Sequence, residues 1–600
     1  MQKIIADLED FTLPVKNTDT IIYSDQEEII NKILIVLIEF CSKLTINDTT
    51  QEIRREFTKL FNRECRENKL LAKKTDFIMQ YQKQLDNNMI IKNILLEKLL
   101  CKKPSRSISG IISITVVMSP YPDGQKFSCE WNCYYCPNEP AHKGNNWQAQ
   151  PRSYLYHEPA VRRANRHGFE AYGQMIDRMD TLRANGHEID KIEIIIEGGT
   201  YNSFPKSYLI KFNRDIYYAA NTYFDQIKRE KKSLAEEVYL NRFSRVHIIG
   251  NCIETRPDTI NEDWIRHYRE CGVTRIQLGI QSTHNHILKR INRGHTIEQG
   301  LDAIEWLKDL CFKIDIHIMP DLPFTNVELD KSMMDYTYKI LQPDQIKIYP
   351  CAVVPWTVIE KWFNRGKWTP YKPEQLQEVM NYAMSTCPDW IRLPRVIRDI
   401  PGVYIQAGNK TTNLRQLISQ SREIRSREIE RHPEYYNKPA KIFSELYKNG
   451  IDGKDYFISY ESYDKVALFG FIRLRFPNNS KNKIHNRPVI FDCLKNRALI
   501  RELHVYGFNT AVGQQAKASQ HRGIGSRLLK EAEWKAYFAG YRGIVVISGE
   551  GVKNYYKKRG YYEMETYMVK DFITFNVWFN LKLFYILIVM IILILLIIIL

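Results

Sequence analysis

The sequence predicts an α/β protein built on two sheets. The first is parallel, with crossover helices, and forms a closed or partial (β/α) barrel. The second belongs to a smaller α/β domain with antiparallel character. Two observations carry this. Between residues 110 and 354, short β-branched runs alternate with helical stretches, which is the pattern of parallel strands joined by crossovers. From about residue 455 strand-like runs return and are followed by one long amphipathic helix. The 600 residues are 44% hydrophobic and 26% charged, enough for several ordinary cores.

Residues 1–100 read as helices. "DQEEIINKILIVLIEFCSKL" and "IRREFTKLFNRECRENKLLAKKTDFIMQYQKQL" space apolar residues at helical intervals with basic residues between them. This region is a basic helical module for nucleic acid or a bundle that docks a partner. Residues 101–390 hold the barrel pattern, in "GIISITVVMS" (110–119), "KIEIIIEGGT" (191–200), "RVHIIGNCIETRPD" (245–258), "RIQLGIQS" (275–282), "FKIDIHIMPDLP" (312–323) and "DQIKIYPCAVV" (344–354). A barrel gathers its site at the C-terminal ends of its strands. Glu197, Glu254, Arg256, Gln281, His317 and Asp321 fall there. Any one of them reads most simply as a strand-end residue satisfying loop backbone; the set reads as a site.

Residues 391–454 read as a linker, with "RLPRVIRDIPG" and the charged helix "SQSREIRSREIERH". Residues 455–572 are the second domain. From Leu583 to Leu600, "LFYILIVMIILILLIIIL" holds 18 residues without a charge. At about 1.5 Å per residue that is a helix of roughly 27 Å, long enough for a thin bilayer. It predicts a tail anchor that leaves the body on the cytoplasmic face of a membrane. No signal peptide is expected in "MQKIIADLEDFTLPVKN", because acidic residues interrupt any apolar core.

The net charge of +17 favours a polyanionic partner, although a solvated basic surface would give the same number. Twelve cysteines, scattered apart from one group, suit reduced thiols and a metal site in a reducing compartment. That group is "CEWNCYYCPNEP" (129–140), with Cys129, Cys133 and Cys136 at C-x3-C-x2-C. Three thiolates are one short of closed tetrahedral zinc, for which His142 is the candidate fourth ligand. They are enough to hold three irons of a [4Fe–4S] cube and leave the fourth iron open. In the second domain, "QHRGIGSRLLKEAE" (520–533) sets glycines before an amphipathic helix. Such a loop lets backbone N–H groups and a helix N-terminus meet a diphosphate.

The cysteine spacing, with the aromatic Tyr135 before the last cysteine and "EGG" (197–199) ending the next strand, resembles the radical SAM signature. The resemblance implies that Cys129, Cys133 and Cys136 hold a [4Fe–4S] cluster and that Gly198 and Gly199 contact S-adenosylmethionine. The loop 520–533 and "NYYKKRGYY" (554–562) resemble the GNAT acetyltransferases, which implies acetyl-CoA. The two domains in this order, with "IETRPD", "NRGHT", "MPDLP", "SREIRSREI" and "RELHVYG", are similar to the catalytic subunit of Elongator over roughly residues 60–570.

That resemblance implies carboxymethylation at C5 of the tRNA wobble uridine. In that chemistry a deoxyadenosyl radical takes hydrogen from the acetyl methyl, and hydrolysis releases CoA. It implies cofactor roles for Glu502, Leu503, His504 and Val505 on a CoA-facing strand. It implies the same for Ile524, Gly525, Ser526 and Arg527 at the pyrophosphate loop. Lys191 is expected to reach acetyl-CoA from the barrel, and Tyr556 to lie at the thioester; both are candidate catalytic residues. Expected partners are tRNA, Elongator subunits, a membrane and a second copy of the chain.

The chain departs from the pattern in places. Three residues separate the first two cysteines where eukaryotic members carry about nine, and Ser421 stands where the family has a linker cysteine, which puts a linker zinc site in doubt. The run Arg162, Arg163 and Arg166 is a candidate tRNA contact or a solvated helix face. Two other readings stand beside the tRNA enzyme: a protein lysine acetyltransferase, and a non-catalytic membrane-bound tRNA or Elongator scaffold.

Overall fold

The computed structural model describes residues 24–44, 51–102, 110–411, 414–418, 421–450, 453–477, 483–484, 487–506, 523–572 and 585–590. Gln520, Arg522 and the stretch 508–519 lie outside these residues. So does the apolar run 583–600, apart from 585–590, which are helical with exposed side chains. No helix among the described residues is long and apolar enough to cross a membrane.

Four helices, α1 (Ser24–Ser42), α2 (Gln51–Glu67), α3 (Lys74–Asp86) and α4 (Ile94–Leu100), open the chain and close on a core of their own. Phe57, Phe77, Leu96 and Leu37 meet there because each helix carries one apolar stripe.

The first sheet is parallel in the order β1 (Ile112–Val117), β2 (Lys191–Glu197), β3 (His247–Thr255), β4 (Arg275–Gln281), β5 (Lys313–Ile318), β6 (Gln345–Ile348) and β7 (Arg392–Arg395). Each strand pairs with the next, and β1 and β7 are the two edges, so the barrel is a half-barrel. Strand β4 is buried at all seven positions, as a strand covered on both faces must be. The helix Ile297–Asp309 shows how crossovers are pinned. Thr296 Oγ1 accepts from Gln299 N, and the Gln299 side chain accepts from Thr296 N, a reciprocal cap.

The second sheet runs β8 (Ala440–Gly450), β9 (Gly453–Ser462), β10 (Leu468–Pro477), β13 (Arg497–Val505), β14 (Gly543–Val546), β16 (Tyr567–Asp571) and β15 (Tyr562–Met564), in the spatial order β15-β16-β14-β13-β10-β9-β8. The remaining strands, β11 (Lys483–Ile484) and β12 (Arg487–Pro488), form a separate hairpin. Only the β13–β14 pair is parallel among the described strands of this sheet.

The stretch read as a linker is corrected at both ends. Arg392–Arg395 is the last strand of the half-barrel, and Ala440–Gly450 is the first strand of the second sheet. The second domain sits under the N-terminal ends of the barrel strands. Asp344, just before β6, takes hydrogen bonds from Arg501 and from Ile314 N at 2.8 Å, and lies 3.6 Å from Arg473. Arg475 reaches Asp309 at 2.6 Å, Glu305 at 2.9 Å and Asp455 at 2.8 Å. All these groups are buried, and the hydrophobic core continues across the junction.

Candidate functional site

The cysteine loop follows β1 and lies over the C-terminal ends of the strands. Cys133 is buried; Cys129 and Cys136 are half-buried. Cys133 Sγ accepts from Arg293 at 3.5 Å and from Arg256 at 3.7 Å. Burial alone would raise this thiol. The Arg293 charge and hydrogen bond, helped by Arg256, outweigh it and hold the pKa below the ordinary cysteine value. Arg256 is itself fixed by Asp258 at 2.7 Å and lies over the Trp131 ring at 4.2 Å. Cys136 has a weaker cationic neighbour, Arg152, and burial pushes it up to about 11.

Gly198 and Gly199 follow β2 at φ 137° and 115°, a region that side-chain-bearing residues avoid. A Cβ on Gly198 would fall 2.9 Å from Met118 N, and one on Gly199 2.5 Å from Ser128 O. The backbone therefore presses against the start of the cysteine loop. Cys129 Sγ lies 3.2 Å from Thr200 Oγ1 in the same contact.

The three thiols fit a cluster better than zinc. His142, the alternative fourth ligand, has both ring nitrogens engaged: Nδ1 accepts from Gly144 N at 3.1 Å, which leaves the proton on Nε2 to donate to Glu139 at 3.0 Å. Among the described residues no three His, Cys, Asp or Glu side chains converge on a single ion. A cube does not need them to, since each thiolate takes its own iron.

Below the loop, the lumen holds a chain of polar groups. Tyr154 OH donates to Glu254 at 2.9 Å, and His317 Nδ1 lies 3.4 Å from the same carboxylate. Lys347 donates to Gln277 Oε1 at 2.7 Å, and His317 Nε2 is 3.1 Å from that oxygen. Burial would raise Glu254; His317, Lys347 and Tyr154 instead hold it down at about 2. This set was invisible in the sequence except for Glu254 and His317, because its members lie on five different segments.

Asp321 does not join them. Its carboxylate accepts from Tyr371 N at 3.0 Å, 50 residues further along the chain, while Asp321 N donates to Asp330. Burial pushes Asp321 up to about 8. Its folded pKa lies above its unfolded value of about 4. Its contribution is therefore complete below pH about 4 and is lost as pH rises through about 8. Asp321→Asn keeps an acceptor for Tyr371 N. It should raise the thermal midpoint at pH about 8.5 and leave it unchanged at pH about 4. A variant with the wild-type pH profile would overturn this.

The second-domain residues line the opposite end. Leu503, His504 and Val505 close β13, half-exposed, with His504 stacked on Phe471. Glu502 is not free: Lys313 and Arg473 pair with it, and against the cost of burial they hold its carboxyl far below the usual range. Gly523, Ile524 and Gly525 begin the helix Ile524–Phe538. A Cβ on Gly525 would meet the Tyr555 hydroxyl at 2.6 Å. Ser526 Oγ accepts from Arg559 at 3.2 Å, and Arg527 reaches the Tyr460 hydroxyl at 3.4 Å. Tyr556 is buried, and that burial pushes its hydroxyl well up, so it keeps its proton. Tyr555, beside it, is half-exposed.

A cavity of about 1200 Å³ joins the two ends. Its walls include Tyr135 and Glu254 above, Lys191 and Lys313 at the N-terminal ends of the strands, and Glu502, Ser526 and Tyr556 below. The arginine run is divided: Arg163 is buried and donates to Thr115 O, whereas Arg166 pairs with Asp177 at the surface and Arg162 is exposed.

A parallel half-barrel whose first strand feeds a three-cysteine loop is a radical SAM fold. Residues 127–329 match the model of the Radical SAM superfamily, and residues 343–424 that of the Radical_SAM C-terminal domain. The chain is 36% identical over 500 residues to the tRNA uridine(34) acetyltransferase of Methanocaldococcus infernus, covering 80% of this chain and 88% of that one. It is 32% identical over 501 residues to Elongator complex protein 3 of Homo sapiens, covering 80% and 87%. The solved archaeal Methanocaldococcus infernus Elp3 with N-terminus deletion (1–46) superposes with a TM-score of 0.63 at 32% identity, over 78% of this chain and all of that one. The chain belongs to the Elongator complex protein 3 family.

Proposed function

We propose that this protein is a transferase that modifies uridine 34 of tRNA, placing a carboxymethyl group at C5 with acetyl-CoA as donor. The observation that carries this reading is the shared cavity, lined by the lumen residues and by the second-domain residues alike. Cys129, Cys133 and Cys136 would hold a [4Fe–4S] cluster, with Gly198 and Gly199 against S-adenosylmethionine. Bound together, that pair supplies one-electron chemistry.

The rest falls to side chains. Ile524, Gly525, Ser526 and Arg527 offer N–H groups and a hydroxyl to a diphosphate at a helix start. Leu503, His504 and Val505 would border the coenzyme arm, and Lys191 would meet it from the barrel. Tyr556, held protonated, would donate to the thioester carbonyl or to the leaving thiolate. The lumen wall would help keep water from the reacting carbon. A flipped anticodon base is the kind of substrate such an enclosed site admits.

The relatives named Elongator complex protein 3 favour partner subunits, and the uncharged run Leu583–Leu600 favours an anchor at the cytoplasmic face of a membrane.

The test is nucleoside mass spectrometry of tRNA incubated anaerobically with the reconstituted full chain, reductant, S-adenosylmethionine and acetyl-CoA. Carboxymethylated uridine is the expected product. Tyr556→Phe should lower it by about 10²–10⁴-fold. No adduct, with peptide lysine acetylated instead, would overturn the reading.

A further inference from the structure

The loop after the third cysteine raises Trp147 into solvent, 72% exposed. Asn146 and Trp147 lie consecutively in the left-handed region, at φ 53° and 57°. That backbone is costly for a bulky residue and persists only where its surroundings over-determine it. Here they do. Buried Glu139, 1% exposed, organises the loop. One carboxylate oxygen accepts from Asn145 Nδ2 at 3.1 Å and from His142 Nε2 at 3.0 Å; the other accepts from Tyr156 N at 2.7 Å. Trp147 N donates to His142 O at 2.9 Å, and the Asn146 amide to the Tyr156 hydroxyl at 2.9 Å.

This pedestal borders the cavity. Ser153 N donates to Pro137 O at 3.0 Å, and both residues line the cavity wall. The His142 ring leans on Trp356, which comes from the loop after β6 at the same end of the barrel. Its chain neighbours are polar, with Asn146 exposed and Gln148 half-buried on either side and Lys143 exposed four residues before.

We propose that Trp147 is a stacking platform for an unpaired RNA base beside the nucleotide that enters the barrel. This rests on the tRNA reading above and extends it to a residue outside the cofactor sites. Unpaired RNA bases are recognised by laying them on aromatic rings, and the ring serves any base because every base has a π-face. The net charge of +17 complements an RNA backbone. A protein-docking patch would instead set the indole among apolar neighbours.

The experiment measures binding of the full chain to an RNA hairpin with an unpaired loop and to a fully paired duplex of equal length, across salt concentrations. Trp147→Ala should weaken hairpin binding by about 5- to 150-fold. It should leave duplex binding and the salt slope unchanged, since no phosphate contact is lost. Trp147→Phe should keep most of the affinity, and thermal unfolding of both variants controls for folding. Equal hairpin affinity in wild type and Trp147→Ala, an equal loss on duplex, or no hairpin binding by the wild type overturns the proposal. Hairpin binding through Trp147 without modified uridine would retire the tRNA-modification reading and leave this one standing. Intact modification with unchanged affinity in Trp147→Ala would do the reverse.

Discussion

Replacing Cys133 by alanine is expected to abolish 5′-deoxyadenosine formation by the reduced, anaerobically reconstituted protein, to the level of a protein-free control. Cys133 is the most enclosed of the three thiols and the one gripped by two guanidinium groups. Those cations favour the thiolate, the form that binds iron. Removing the sulfur takes away one of the three proposed ligands. It also leaves Arg256 and Arg293 facing each other without the anionic group between them. Iron content and the visible absorbance of the cluster should fall together with turnover. Wild-type deoxyadenosine from Cys133→Ala would remove the three-cysteine loop from the chemistry altogether.

The second large effect is on stability. Asp344→Ala should destabilise the protein by about 3–5 kcal/mol, because it strands buried Arg501 and Arg473 without their shared carboxylate. Pairing it with Arg501→Met should recover part of the loss, since replacing both buried charges costs less than breaking the pair. Burial would raise Asp344, but Arg501 and Arg473 hold its folded pKa below the usual carboxylate value. Its stabilisation is thus present above the unfolded pKa of about 4 and is lost as pH falls further. Thermal midpoints of the wild type and the two variants at neutral and acid pH decide the matter. An unchanged midpoint in Asp344→Ala would show that the junction between the sheets does not depend on this network.

Much of this was legible in the chain. Six barrel strands announced themselves as apolar, β-branched runs, and the cysteine spacing marked the loop that follows the first of them. The seventh strand, Arg392–Arg395, did not: "RLPR" has neither alternation nor β-branching, and it pairs only because β6 offers an edge. Strand β8, "AKIFSELYKNG", hid for a related reason, as an edge strand with mixed polarity. The partners of the site were the least visible. Arg293 meets Cys133 across 160 residues, and Tyr154 meets Glu254 across 100. Spacing along the chain carries no trace of such pairs, since only the closure of the barrel brings them together. Trp147 was silent because an exposed tryptophan in a polar loop has no periodicity to betray it.

The shared cavity sets a length. Lys191 and Glu197 are the two ends of β2, and six rises of about 3.3 Å put them roughly 20 Å apart. The buried arginine–aspartate junction bolts the second domain beneath the barrel, so the floor does not rise to meet the ceiling. A group held below must therefore be carried upward on an arm of its own. On the proposed function, the half-barrel would act as a gauge that sorts acyl donors by reach before it sorts them by reactivity.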